Sequence, residues 1–187
     1  MLPRVVRRCS RAQLRVASFG RSGAAGTGLL GIAIANVAST PCWLQGTPGV
    51  TFFRRAATST LRLAVDLNHS GPAFFFAPRP PRVVLFQEQA VHSAIRPRLP
   101  AVSAGLVLTS RDFPSGTNPW PCQPIAAVSL RLPGVSGTYI VRFDSGSYRI
   151  CDVPPPVAVS PIVTARVLAD VIEVGPNSLP SVTIAPS

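Results

Sequence analysis

Residues 138–153 read TYIVRFDSGSYRICDV, and this stretch decides the fold class of the chain. Two runs rich in β-branched and aromatic residues, 138–143 and 147–153, flank a short loop that ends at Gly146. Such an arrangement is typical of a β-hairpin. The stretch therefore predicts a mainly β fold.

The preceding segment supports a small sheet or barrel-like domain over residues 122–187. Residues 126–132 are apolar, alternate with polar residues at their end, and stop at Pro133-Gly134. This pattern predicts a strand followed by a turn. The strand would extend the sheet that the hairpin begins.

The run 162–174 that follows the hairpin has two interpretations. Arg166 and Asp170 are four residues apart, which suits a helix. The Val and Ile content suits a strand, which is the interpretation we favour. Residues 182–184 predict a last short strand.

The middle of the chain, residues 72–121, is predicted to be a loosely ordered, extended region. Ten of the 21 prolines lie between residues 72 and 124. Each proline removes a backbone donor and restrains the residue before it, so a continuous helix is excluded. Two short ordered pieces are expected, a buried strand over 82–86 and a helix over 87–95.

The N-terminal segment, residues 1–23, is predicted to be an import presequence. The first 21 residues carry six arginines, and no acidic residue occurs before Asp66. In a helical projection most of these arginines fall opposite an apolar side, as in a mitochondrial presequence. The targeting arginines would be Arg4, Arg7, Arg8, Arg11 and Arg15.

Residues 24–71 begin with an uncharged Gly/Ala-rich segment and continue as a linker. The apolar run 24–35 is short for a transmembrane helix but has the length of a secretory h-region. Association with a membrane through residues 24–38 is therefore expected as an alternative. Asn68 begins an Asn-His-Ser glycosylation sequon, which would matter if the chain enters the secretory pathway.

The net charge of +11 is concentrated at the N-terminus. Residues 1–65 contain nine arginines and no acid, whereas residues 66–187 contain nine arginines and seven acids. Binding to RNA is thus a weaker expectation than the total charge alone would indicate. All 18 basic residues are arginine, which indicates GC-rich coding or a little-selected reading frame.

The four cysteines show no metal-site spacing. Cys42 and Cys122 each adjoin a proline and lie near a tryptophan, so they are the candidate pair for a disulfide in an oxidising compartment. The alternative is that all four cysteines are small buried apolar residues.

No pattern predicts a catalytic, cofactor or metal site. Residues 26–31 match G-x-G-x-x-G, but a basic segment precedes them and no acid follows before Asp66. His69 and His92, the two histidines, lie outside any catalytic motif. We therefore expect a protein that is not an enzyme and needs no cofactor.

The sequence favours a non-catalytic accessory or structural protein, imported into mitochondria as a subunit of a larger assembly. Its partner would be another protein, because extended proline-rich segments gain order by lying along a partner. The alternatives are a secreted or membrane-associated β protein and a reading frame with no biochemical role.

Overall fold

The structure is a computed structural model, and the residues it describes are 5–24, 27–56, 59–63, 67–68, 80, 82–87, 104–111, 122–143, 148–151 and 157–174. Within these residues the strands are β1 (Arg7–Arg8), β2 (Leu14–Ala24), β3 (Thr27–Asn36), β4 (Cys42–Leu44), β5 (Gly49–Ala56), β6 (Ser59–Leu63), β7 (Leu67–Asn68), β8 (Val83–Leu85), β9 (Ala104–Arg111), β10 (Cys122–Arg131), β11 (Tyr139–Arg142), β12 (Arg149–Cys151), β13 (Val157–Val159) and β14 (Val163–Thr164). A 3₁₀ turn, Arg11–Gln13, precedes β2, and the α-helix α1 spans Ala165–Val174.

The described strands form three sheets, so the prediction of a mainly β fold is confirmed. A three-stranded sheet has the order β1-β4-β8. A five-stranded sheet has the order β11-β10-β5-β6, with β12 also paired to β10. A six-stranded sheet has the order β2-β3-β9-β13-β7, with β14 also paired to β9.

The ordered β structure extends well beyond residues 122–187. Strand β5, from the predicted linker, pairs antiparallel with β10 from the predicted C-terminal domain. The proline-rich region contributes β8 and β9, and β9 lies between β3 and β13. The division of the chain into a loose first part and an ordered last part is therefore corrected. These pairings join distant segments, which local sequence patterns do not report.

Strand β3 explains why the segment after Arg21 is uncharged. Leu30, Ile32 and Ile34 belong to the main core on one face of this strand, whereas Leu29 packs in a second apolar cluster on the other face. A strand that is covered on both faces needs a continuous apolar run instead of an alternating pattern.

Helix α1 covers the six-stranded sheet, and the prediction of a strand over 162–174 is wrong beyond Thr164. Leu168, Val171 and Ile172 are buried against the sheet. Their spacing of three and four residues places them on one side of a helix. The β preference of Val and Ile is weak and yields to this packing.

Two glycines of the sheet allow the helix to approach closely. A Cβ on Gly31 would lie 2.9 Å from Cγ1 of Ile172. A Cβ on Gly105 would lie 2.5 Å from the backbone oxygen of Ile32 and would also collide with Leu168. Larger residues at these positions would push α1 away from the strands.

The two strands predicted as a hairpin exist, but they do not pair with each other in the described residues. Strand β11 pairs with β10 over residues 127–130, and β12 pairs with β10 over residues 122–124. Both pairings are antiparallel. The hairpin is formed instead by β10 and β11 around the turn at Pro133-Gly134, where Gly134 has a φ of 70°.

Other local predictions have mixed outcomes. The predicted strands over 82–86 and 126–132 correspond to β8 and β10, so both strands are confirmed, but β8 is buried on one side only. Residues 88–95 of the predicted helix and the predicted strand at 182–184 lie outside the described residues.

Candidate functional site

The three-stranded sheet presents a face rich in arginine and aromatic residues. The parallel pairing of β1 with β4 sets Arg8 beside Trp43, and the antiparallel pairing of β4 with β8 sets Trp43 beside Val84. Neighbours in register point to the same side of a sheet, and so do residues two apart along a strand. We call this surface the arginine–tryptophan face, and it consists of Arg8, Trp43, Arg82, Val84 and Phe86.

Burial along β8 shows which way this face points. Val83 and Leu85 are buried, whereas Val84 is 40% exposed and Phe86, just after the strand, is 67% exposed. Leu44 on β4 is also buried in the main core. The inner side of the sheet therefore belongs to the core, and the arginine–tryptophan face is turned to solvent.

Trp43 holds two guanidinium groups. The Cζ atom of Arg8 lies 4.6 Å from the centre of the indole ring, and that of Arg82 lies 4.5 Å from it. Each cation–π contact at an exposed site contributes about 0.5–1 kcal/mol. Stacking restrains the planar guanidinium groups but leaves their N–H edges able to donate to oxygen anions.

A disulfide fixes β1 to β4 directly beneath this face. Cys9 and Cys42 are bonded, with a Cα–Cα distance of 4.8 Å, and both are buried. The backbone N–H of Cys9 also donates to the carbonyl oxygen of Trp43 at 3.0 Å. Arg8 and Trp43 are thus each adjacent in sequence to a bridged cysteine, which limits their relative motion.

The predicted pairing of Cys42 with Cys122 is wrong, because Cys42 is bonded to Cys9. Cys122 is itself in a disulfide. The antiparallel register sets the backbone of Cys151 opposite Cys122. The tryptophan and proline neighbours that suggested the first pairing carry no information about which strands are adjacent.

A buried asparagine shapes the bend that leads from β3 to β4. The side-chain amide of Asn36 donates to the carbonyl oxygens of Thr40, at 2.9 Å, and Leu85, at 3.0 Å. Its Oδ1 accepts from the backbone N–H of Ala38 at 3.0 Å. These bonds satisfy the buried amide and tie the bend to β8. Sequence reasoning missed Asn36, because a single asparagine carries no distinctive pattern.

A second arginine–aromatic contact joins the 3₁₀ turn to β11. The Cζ atom of Arg11 lies 5.0 Å from the ring centre of Tyr139, and Nη1 of Arg11 donates to the carbonyl oxygen of Thr138 at 2.7 Å. The Tyr139 hydroxyl donates to the carbonyl oxygen of Arg11 at 3.2 Å. Burial raises the pKa of Tyr139 above its ordinary value, and the positive charge of Arg11 opposes this rise.

Both arginines also lie against glycines in the connection from β10 to β11. A side chain on Gly134 would collide with the Arg8 guanidinium, and one on Gly137 would collide with that of Arg11. Both glycines have positive φ, 70° and 76°, which other residues adopt only with strain. This connection is therefore shaped to receive the N-terminal arginines.

A groove of about 570 Å³ lies beside the disulfide, between the N-terminal segment and the bend before β4. Arg7 and Arg8 line one part, and Gln13, Thr40 and Pro41 line another. The polar side chains among these residues carry amide, hydroxyl and guanidinium groups, which can form hydrogen bonds with a bound partner.

The predicted targeting arginines are distributed over several elements. Arg7 and Arg8 lie in β1, Arg11 in the 3₁₀ turn and Arg15 in β2, and all four are exposed. Arg4 lies outside the described residues. The helix assumed for this segment is absent from residues 5–24, because β2 pairs with β3 along its length and Cys9 is bridged.

The structure places residues 27–36 of the run 24–38, expected to contact a membrane, in the interior. They form β3, which pairs with β2 on one side and β9 on the other. Ile32 and Ile34 are fully buried. The run is apolar because it forms a strand in the protein core. Among the described residues no helix has both the length and the apolar character needed to cross a membrane.

Asn68 is the last residue of β7, and its glycosylation stays a prediction. Within the described ranges no group of three His, Cys, Asp or Glu side chains could hold a metal ion. His69 and His92 lie outside those ranges. Gly28 and Gly31, from the G-x-G-x-x-G match, lie inside β3 and not in a loop that leads into a helix. These two glycines are therefore part of a packed strand and do not form a phosphate-binding loop.

These features define a disulfide-linked, mostly β domain with a solvent-facing arginine–tryptophan surface. The chain belongs to the family described as domain of unknown function DUF4232, whose model matches residues 9–141. The match begins at Cys9 and includes β2, β3, β4 and β8. No curated protein and no solved structure matches the chain.

Proposed function

We propose that this protein is a non-catalytic structural or accessory β protein that works by binding, in an oxidising compartment reached through the secretory pathway. The single observation that carries this proposal is the buried Cys9–Cys42 disulfide, which links the N-terminal segment to β4. Disulfides persist in oxidising compartments and are rare in the reducing cytosol.

The same bridge favours one of the two addresses expected from the sequence. Cleavage of a presequence near residue 23 would remove Cys9, β1 and nearly all of β2. The main core would then lose Leu14, and Trp43 would lose its contact with Arg8. The family match, which begins at Cys9, also favours retention of this segment. Secretion is therefore supported better than import into mitochondria.

A role by binding is supported by the chemistry of the exposed surface. The arginine–tryptophan face and the adjacent groove offer guanidinium, amide and aromatic groups, which recognise partners. Membership in a protein family supports a selected protein over an unselected frame.

The test is mass spectrometry of the endogenous protein from fractionated cells, with free thiols blocked during lysis. We expect a chain that retains Cys9 and yields a disulfide-linked peptide pair containing Cys9 and Cys42. The fraction should be extracellular or extracytoplasmic. Recovery from mitochondria with an N-terminus between residues 17 and 23 would overturn the secretory assignment.

A further inference from the structure

Two exposed apolar side chains lie on the same face as the stacked arginines. In the part of the chain that the structure describes, the exposed large apolar residues are Val5, Val37, Val84, Phe86 and Ile140. Val84 and Phe86 lie on the arginine–tryptophan face. Val84 lies opposite Trp43 in register, and Phe86 lies two residues further along the same side. Clustered exposed apolar side chains mark interaction surfaces.

The arginine–tryptophan face carries two exposed positive charges, those of Arg8 and Arg82. Both guanidinium groups lie over the ring of Trp43, and such a group can pair with an oxygen anion. The face is therefore suited to a negatively charged partner.

We propose that the arginine–tryptophan face docks onto a bilayer surface that contains anionic phospholipid. Phe86 and Val84 would enter the boundary between headgroups and acyl chains, where Trp43 also has a favoured position. Arg8 and Arg82 would donate to the lipid phosphates with guanidinium groups already oriented by the indole ring. The contact is peripheral and does not involve the buried run 27–36.

The apolar component favours a bilayer over a soluble polyanion. Arginines alone would bind nucleic acid or polyphosphate, and salt would weaken that binding steeply. A bilayer surface also buries Phe86 and Val84, and this contribution survives added salt because it does not depend on charge. The two contributions can therefore be separated by substitution and by ionic strength.

The experiment measures co-sedimentation of the purified full chain, with disulfides intact, with two kinds of vesicles. One contains equimolar phosphatidylcholine and phosphatidylglycerol, and the other contains phosphatidylcholine alone. We expect binding to the anionic vesicles only. Arg8→Gln and Arg82→Gln should each weaken it about fivefold, corresponding to about 1 kcal/mol per arginine near a charged surface. Phe86→Ser should weaken it about tenfold through lost apolar burial.

The matched control is the double variant Ile140→Ser/Arg142→Gln on β11. Ile140 is 50% exposed and Arg142 is exposed, so the variant removes one exposed apolar side chain and one arginine from another part of the surface. It should bind anionic vesicles like the parent protein. Thermal unfolding of every variant verifies that the fold is intact.

Three results would overturn membrane docking. The first is absence of binding to anionic vesicles. The second is an equal loss in the β11 control, which would show dependence on net charge alone. The third is binding that is unchanged in Phe86→Ser and removed by soluble polyphosphate, which would identify the face as a polyanion site.

Discussion

The two sides of this molecule are stabilised by different means. On the helix side, α1 lies on β3 and β9, where Gly31 and Gly105 leave room for Leu168 and Ile172. On the arginine side, short strands β1, β4 and β8 depend on the Cys9–Cys42 bridge and on guanidinium contacts with Trp43. The comparison teaches that apolar packing holds the long strands β3 and β9, whereas the short strands β1, β4 and β8 also have a disulfide and arginine contacts.

The largest expected effect concerns the bridge on the arginine side. Cys9→Ala/Cys42→Ala should lower the free energy of unfolding by about 4 kcal/mol, because a bridge over a separation of 33 residues restricts the unfolded chain. Urea denaturation measures this change. A loss below about 1 kcal/mol would mean that hydrogen bonds and arginine contacts alone hold β1, which contradicts the comparison.

The next effect concerns the helix side. Gly105→Val should lower the free energy of unfolding by about 3 kcal/mol, because the new side chain meets the Ile32 carbonyl and Leu168. The matched control is Gly49→Ala, where the nearest atom is Cβ of Arg131 at 3.7 Å. That change should be nearly neutral in the same denaturation assay. Equal stabilities of the two variants would show that α1 is not closely packed.

A smaller effect separates the stacked arginines from the bridge beneath them. A double-mutant cycle of Arg8→Gln and Trp43→Leu should give a coupling energy of about 0.5–1 kcal/mol. The same cycle with Arg142→Gln in place of Arg8→Gln supplies the control and should give no coupling. A zero coupling for Arg8 would show that its position over the ring makes no contribution to stability.

The smallest effect is a pH dependence at Tyr139. Its folded-state pKa is raised, so its contribution to stability is fully present below the unfolded value near 10 and is lost as the pH rises through the folded value. Tyr139→Phe should therefore show a shallower loss of stability between neutral pH and about pH 11. Urea midpoints of both proteins across this range measure the difference. Parallel curves would contradict the proposed titration.

Some secondary-structure elements could be predicted from the local sequence, and others could not. The strands at 83–85 and 122–131 and the turn at Pro133-Gly134 followed from residue preference and position. The spacing of the N-terminal arginines predicts a helix, yet the segment forms strands β1 and β2, and both Cys9, just after β1, and Leu14 are buried. A spacing pattern that satisfies a helix does not exclude a strand when the neighbouring strand is unknown.

The arginine–tryptophan face could not be predicted from the sequence. Arg8, Trp43 and Arg82 are far apart along the chain and meet only through the pairing of β1, β4 and β8. The disulfide partner of Cys42 was missed for the same reason, since prolines and tryptophans near a cysteine do not report distance. Asn36 became meaningful only when its amide was found between Thr40 and Leu85.

The sequence by itself determined the mainly β class, several individual strands and the concentration of positive charge at the N-terminus, because residue preference and formal charge are local properties. Only the tertiary structure decided that β10 pairs with β5, β11 and β12, that residues 165–174 are helical, and that Cys9 bonds to Cys42. These outcomes depend on which distant surfaces bury one another. That choice minimises the free energy of the whole chain and not of any single segment.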